Sequence, residues 1–360
     1  MNIIKATKTY EAWLAQQTPI VAPDLKIKHQ EMAKSAFSFL RATFYRWVQV
    51  WPEVCPDSCK APRVLGVGDL HVENFGTWRD SDGRLVWGIN DFDEADHYPY
   101  TSDLVRLATS SLVAAREDRL AMRPKDAVDA VLQGYRNGLQ AGGRPYVLAE
   151  DHSWLRQIAE SKLRDPVQFW RRMDELPTEK GKVPKSARQA IEQLLPESGL
   201  KYRLARRRAG LGSLGRMRFV AIANWRGGRL AREAKALTAP ATCWLDQPRE
   251  SAEILYPAVL TRAVRCPDPY VRPCGNWIVR RLSPHCSRIE LVSLGPGRAE
   301  LRLLKAMGWE TANIHLGSER QREKILKDLT RRKGNWLMRA SEAMLRVLEK
   351  DWRTWKKALR

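Results

Sequence analysis

Between Lys28 and Trp51 apolar side chains recur at three- and four-residue intervals, with Phe37, Leu40, Phe44, Trp47 and Trp51 on one stripe. That period predicts a helix with a buried face, ended by Pro52. The pattern then shortens. Arg63–Val67 and Arg84–Ile89 are brief apolar runs, and Asp80-Ser81-Asp82-Gly83 before the second carries turn chemistry. Phe75–Trp78 and Arg84–Ile89 are therefore expected to pair as a small hairpin. Helical periodicity returns afterwards. Ser102 is placed to cap a helix running to Arg116, and Lys125–Gln140 forms another, closed by Gly142-Gly143. Ser153–Arg164, Pro166–Glu175 and Ser186–Leu195 read as shorter helices, with a loop over Pro177–Pro184.

From Lys201 the period changes to two. Tyr202–Ala209, Arg216–Trp225 and Arg229–Leu237 predict strands. They are separated by the glycine-rich turn Gly210-Leu211-Gly212-Ser213-Leu214-Gly215 and by Arg226-Gly227-Gly228. Gln247–Arg265 reads as a helix. Asn276–Leu282 and Arg288–Leu294 read as two further strands. Arg298–His315 and a long basic tail, Glu319–Arg360, return to helix, and Trp336, Leu337, Met344 and Leu348 give the tail a packing face. These elements predict an α+β fold, with a mainly helical part over 1–200, a small antiparallel β part over 201–297 and C-terminal helices over 298–360.

Composition adds a polarity to this picture. Residues 1–150 hold 18 Lys and Arg against 19 Asp and Glu, whereas residues 151–360 hold 44 against 22. The basic excess implies an anionic partner, such as ATP, a phosphorylated substrate or nucleic acid, the last not favoured. Many of these arginines also belong on solvated helix faces. No apolar run approaches the length of a membrane span, and Met1-Asn2-Ile3-Ile4-Lys5 opens no signal peptide, so no membrane and a cytoplasmic location are expected. Among six cysteines, Cys55 and Cys59 are one residue further apart than in the common zinc knuckle, and free thiols are the favoured reading.

The chemistry concentrates where the early strands stop. Asp69 and Asn74 precede the expected hairpin and Asp91 follows it, so the hairpin brings the three together. Carboxylate and amide oxygens suit a hard cation such as Mg²⁺. A separate carboxylate can orient a hydroxyl and take its proton. One Asp as base with an Asn and an Asp on metals is the parts list of kinase-type phosphoryl transfer. Gly68-Asp69-Leu70-His71 with Asn74 resembles the catalytic loop of aminoglycoside- and choline-kinase-like enzymes, and Asn90-Asp91-Phe92-Asp93 resembles their metal-binding motif. The longer strings, together with Ser102-Asp103-Leu104-Val105-Arg106-Leu107, are similar to the bacterial domain-of-unknown-function 2252 family, which is grouped with the protein-kinase-like fold.

The resemblance implies a two-lobed kinase-like fold in circularly permuted order, because the catalytic loop here precedes the small β lobe. It implies an ATP- and Mg²⁺-dependent phosphotransferase. Asp69 would be the catalytic base, with Asn74 and Asp91 on the metals and Asp93 an additional ligand. Gly210, Gly212, Ser213 and Gly215 would cover the nucleotide phosphates. The family's Lys-Glu-Ala reads Arg232-Glu233-Ala234 here, so Arg232 takes the phosphate-binding position by alignment, while Lys235 would face the other side of its strand. Glu250 or Glu253 would pair with Arg232, and Gly295-Pro296-Gly297 would be the hinge. Asp103 would anchor the catalytic loop, His71 would brace it, and Arg106 would pair with a nearby acid. AMP transfer from the same site and an inactive nucleotide-binding module are the alternatives. A metal-dependent phosphoesterase lacks its partner motifs.

Overall fold

The long aromatic stripe of the first third folds as several helices rather than one. In the computed structural model of the chain, α1 (Ile3–Gln17) is followed by α2 (Ala22–Lys34), α3 (Ala36–Ala42), α4 (Phe44–Val54) and the short α5 (Pro56–Cys59). Ser35 interrupts the run because its hydroxyl accepts the Ser38 N–H at 3.1 Å and caps α3. Pro52 lies inside α4, which runs on to Val54. The structure describes every residue except 118–119, 149–151, 162–164, 246–252, 287–297 and 360.

β1 (Arg63–Gly66) pairs antiparallel with β4 (Asp96–Pro99), a strand that the sequence pattern does not announce. Between them the expected hairpin forms from β2 (Phe75–Arg79) and β3 (Leu85–Ile89), with Phe75 opposite Ile89. Asp80 closes its turn by accepting the Asp82 and Arg84 backbone N–H groups at 3.1 and 2.9 Å. α6 (Tyr100–Arg116) begins before Ser102, which is therefore not its cap. α7 (Pro124–Ala141) ends as expected on Gly142 in the left-handed conformation. β5 (Tyr146–Val147) joins β3, and α8 (Ser153–Ser161) contributes Leu155 and Ala159 to the main core.

The helices that follow belong with the sheet. α9 (Pro166–Asp174) and α10 (Lys185–Glu192) pack on opposite faces of a five-stranded antiparallel sheet, so the helical part does not extend to residue 200. The sheet holds β6 (Arg203–Arg206), β7 (Arg218–Trp225), β8 (Gly228–Ala236), β9 (Arg272–Cys274) and β10 (Trp277–Leu282), in the spatial order β6-β7-β8-β10-β9. α11 (Thr242–Leu245) and α12 (Tyr256–Arg262) lie between β8 and β9. Of the helix expected over Gln247–Arg265, only α12 is helical among the described residues, while 253–255 and 263–265 are not. Glu250, the strand Arg288–Leu294 and the hinge Gly295-Pro296-Gly297 lie outside the described residues.

The chain then returns to the helical part. α13 (Arg298–His315) crosses α7 in backbone contact, since a Cβ on Gly134 would fall 1.9 Å from the Lys305 carbonyl oxygen and one on Gly308 2.1 Å from that of Val131. The expected tail helix is two, α14 (Arg322–Arg331) and α15 (Trp336–Ala358), broken where Arg332 is extended. α15 brings the two ends of the chain together. Arg46 pairs with Asp351 at 2.7 Å and donates to the Met1 carbonyl at 3.1 Å, and Trp355 Nε1 donates to the His29 carbonyl at 3.1 Å. No described helix is long and apolar enough to cross a membrane.

Candidate active site

Asp69 is presented by a loop that only glycine can enter. Gly68 has φ +82°, and a Cβ there would lie 2.3 Å from the Glu94 carbonyl oxygen. Gly68→Ala is accordingly expected to lower the unfolding free energy by about 3 kcal/mol, read from denaturant melts. Asp103, in the first turn of α6, accepts the Val67 and Gly68 N–H groups at 2.7 and 3.0 Å. Its Oδ2 also meets His315 Nε2 at 3.0 Å, and His315 Nδ1 meets the Tyr135 hydroxyl at 2.8 Å. The loop is thus anchored by Asp103, with α13 and α7 behind it.

The Asp69 carboxylate is held by Arg106, whose Nε donates to Oδ1 at 3.0 Å and whose Nη2 donates to the same oxygen. Arg106 is fully buried between the Phe44 and Trp47 rings, its guanidinium 4.9 Å from each centroid. Burial raises the Asp69 pKa against the pull of Arg106. Asn74 Nδ2 donates to the Asp69 carbonyl at 2.7 Å, which leaves its amide oxygen for a cation. His71 Nδ1 accepts the Glu73 N–H at 3.2 Å and braces the loop.

β3 delivers the second carboxylate group, and the Asn90 N–H closes the hairpin mouth on the Asn74 carbonyl at 3.2 Å. Lys235 of β8 reaches across from the sheet. Its Nζ lies 3.0 Å from Asp91 Oδ1 and 2.6 Å from Asp93 Oδ2. Arg216 stands 3.4 Å from Asp93 Oδ2 and 3.3 Å from Glu94 Oε1. Burial pushes the Asp91 pKa up, but Lys235 and Arg280 outweigh it and hold the carboxyl well below its ordinary value. Burial and the Asp91 charge raise Asp93. Burial pushes Glu94 to about 7, against Arg216 and the Ala241 N–H.

Among the described residues, Asp93 Oδ1 is buried without a hydrogen-bond partner, an open acceptor beside Asp91. Asn74, Asp91 and Asp93 line one polar pocket of about 50 Å³ together with Asp69. These hard oxygen donors fit Mg²⁺. Among the described residues no three His, Cys, Asp or Glu side chains group as a metal cage.

The glycine turn forms the roof of this pocket. A Cβ on Gly212 would lie 3.4 Å from Asp69 Oδ2. Lys28, buried on α2, donates to the Gly212 carbonyl at 3.0 Å, and the Val21 N–H donates to the Gly215 carbonyl at 2.8 Å. Burial pushes Lys28 down to about 8. Ser213 lines the pocket beside Gly210 and Gly212, and its Oγ accepts from Arg218 Nη2 at 2.8 Å.

Arg232 is not part of the site. It lies on the α10 face of the sheet, where Nε donates to the Leu194 carbonyl at 2.9 Å and the guanidinium covers Tyr270 at 4.5 Å. Strand alternation is the reason. β8 runs without a bulge opposite β7 and β10, so Glu233 and Lys235 share the cleft face and Arg232 takes the other. Glu253 is exposed and has no ion pair with Arg232. Glu233 instead receives Arg207, Arg218 at 3.0 Å and Arg280 at 2.8 Å.

Asp91 and Gly210 also border a larger cleft of about 260 Å³, between the sheet and the hairpin, lined by Trp78, Phe92, Tyr256 and five arginines. Behind the hairpin, Glu310 accepts the Ile89 N–H at 3.2 Å and Asn313 Nδ2 at 2.7 Å, and burial pushes it from 4.5 to about 7. A carboxyl with a raised folded-state pKa binds its proton more tightly in the native state. Its stabilising contribution is complete below pH 4.5 and is lost as pH rises through 7. Melting temperatures from pH 5 to 8.5 are expected to fall on the alkaline side, and Glu310→Gln is expected to flatten that slope.

Lys28, Arg216 and Glu94 were not singled out in the sequence, because they gain meaning only when α2, the glycine turn and the loop after β3 converge. Lys235 was legible in principle, since period two places it with Glu233. No curated protein and no solved structure matches the chain. The segment that carries Asp69, Asn74, Asp91 and Asp103, residues 21–193, matches the model of the domain-of-unknown-function 2252 family, described as an uncharacterized protein conserved in bacteria.

Proposed function

We propose that the chain is an ATP- and Mg²⁺-dependent phosphotransferase of kinase-like, two-lobed and circularly permuted build. The observation that carries this reading is the pairing of Lys235, from the late sheet, with Asp91 and Asp93, from the early hairpin, Asp91 bordering both the polar pocket and the cleft. The meeting of the chain ends through Arg46 supports the permuted order. Asp69, fixed by Arg106, orients the acceptor hydroxyl and takes its proton. The glycine turn excludes water above it, and Lys235 supplies the charge expected at position 232. Asn74, Asp91 and Asp93 would hold Mg²⁺, which would offset phosphate charge. The work of the chain is positioning and charge stabilisation.

A neighbouring reaction, AMP transfer, is favoured by one feature. Arg207, Arg218, Arg265, Arg280 and Arg281 all line the cleft rather than the Asp69 pocket. Outer phosphates seated among them would leave the α-phosphorus nearer to Asp69. Incubation with Mg²⁺ and ATP labelled at the α or the γ phosphate separates the two. Transfer or slow hydrolysis that yields ADP and γ label supports phosphoryl transfer. AMP with released pyrophosphate supports the second reading. Saturable ATP binding without turnover of either label would leave only a nucleotide-binding module and would sink both.

A further inference from the structure

Among the described residues, one cation in the cleft makes no ion pair and feels Glu310 and Asp268 only through space. Arg265 follows α12, where the Val264 N–H bonded to the Asn313 carbonyl at 3.0 Å fixes the backbone. Its guanidinium lies against two rings, 4.8 Å from the Trp78 centroid and 5.0 Å from that of Phe92. Its Nε and Nη1 are buried and donate to nothing among the described residues. The neighbouring acids accept their hydrogen bonds from other groups. Glu310 receives the Ile89 N–H and Asn313, and Asp268 receives the Tyr270 N–H at 2.9 Å with Arg281 Nη2 3.8 Å away.

Arg281 is only partly balanced, by Asp268 at 3.8 Å. Its Nε is buried without an acceptor, its Nη2 donates to the Arg79 carbonyl at 3.2 Å, and its guanidinium covers Tyr270 at 4.4 Å. The other three arginines of the cleft share the single carboxylate of Glu233. Asp91 is already neutralised by Lys235. A guanidinium stays charged at any relevant pH, and a buried charge without partners costs several kcal/mol. Arg265, unpaired among the described residues, and Arg281, ion-paired there only with Asp268 at 3.8 Å and with its Nε unsatisfied, border one cavity of about 260 Å³ and form an anion site with its donors in place. The planar fork of Arg selects oxyanions with several acceptor oxygens.

The structure assigns to Arg265 and Arg281 a phosphoryl-binding subsite in the cleft beyond Asp91. Its ligand is a phosphate or diphosphate group, supplied either by the nucleotide or by a phosphorylated acceptor. The subsite does not depend on transfer chemistry, so binding alone tests it.

The experiment is calorimetric titration of the whole chain with pyrophosphate, ATP and adenosine, without and with Mg²⁺. Wild type is expected to bind pyrophosphate saturably. Arg265→Gln is expected to weaken this about tenfold or more, as loss of charge-assisted hydrogen bonds implies. Arg281→Gln leaves the Trp78–Phe92 contact intact and serves as the second variant, with melting curves confirming that both fold. Competition between pyrophosphate and ATP, with adenosine affinity unchanged, assigns the subsite to the phosphates of the nucleotide. Simultaneous binding of the two assigns it to a phosphorylated acceptor. Absence of pyrophosphate binding in wild type, or equal affinity in wild type and both folded variants, overturns the subsite whether or not ATP is turned over.

Discussion

An Asp69→Asn variant is expected to bind ATP and Mg²⁺ as wild type does and to lose about 10²–10⁴-fold in turnover. The substitution keeps the shape of the side chain and keeps an oxygen for Arg106, so the loop, anchored separately by Asp103, has no reason to move. What disappears is the carboxylate that can accept a proton beneath Gly212. Single-turnover kinetics and ATP titration on the same preparation separate the two effects. Equal turnover in both proteins would end the assignment of Asp69 as base. A parallel loss of ATP affinity would make it a structural residue of the pocket instead.

Lys235→Met and Arg232→Met are expected to behave in opposite ways. The Lys235 substitution removes the cation shared by Asp91 and Asp93, of which the Asp93 partner is nearly buried. Breaking a buried pair of this kind costs about 3–5 kcal/mol, and the more exposed Asp91 moderates the figure towards its lower end. ATP affinity is expected to fall about tenfold or more, because the cation is no longer there for the phosphates. Without Lys235 the Asp91 carboxyl loses a main influence that lowers its pKa, so residual binding should weaken at acid pH. Mg²⁺ is expected to restore part of the lost stability by replacing the missing charge. The Arg232 variant loses its bond to Leu194 and its cover of Tyr270, so stability declines while ATP affinity stays within a factor of about three. If Arg232→Met alone weakened ATP, the alignment with Lys-Glu-Ala would stand and the strand register would not.

These two residues also mark the limit of what could be read from the chain. Local signals carried far. The hairpin, the glycine turn, α7 with its glycine stop and α13 followed from periodicity and turn chemistry, and Asp69, Asn74, Asp91 and Asp93 line one pocket. Tertiary partnership was less legible. The breaks at Ser35 and Arg332 depend on a single cap and a single extended residue inside otherwise continuous stripes. α9 and α10 carry apolar faces that fit a helical body as well as a sheet, and only their packing on β7 and β8 decides. A motif match placed Arg232 in the site by position along the chain. The strand placed Lys235 there by the side on which each residue emerges.

The carboxylates of the hairpin and the lysine that offsets them are separated by more than a hundred positions in order of synthesis. On the ribosome, Asp91 and Asp93 emerge long before β8, and among the described residues no earlier lysine pairs with them, while Arg216, before β7, reaches Asp93. A nascent chain stalled ahead of Arg216 carries two unbalanced acidic groups at its future centre, and one stalled between Arg216 and Lys235 still lacks the partner of Asp91. The pocket matures only when the last strands arrive, so a stalled chain of that length should expose the 66–94 loop to proteases that spare the finished protein.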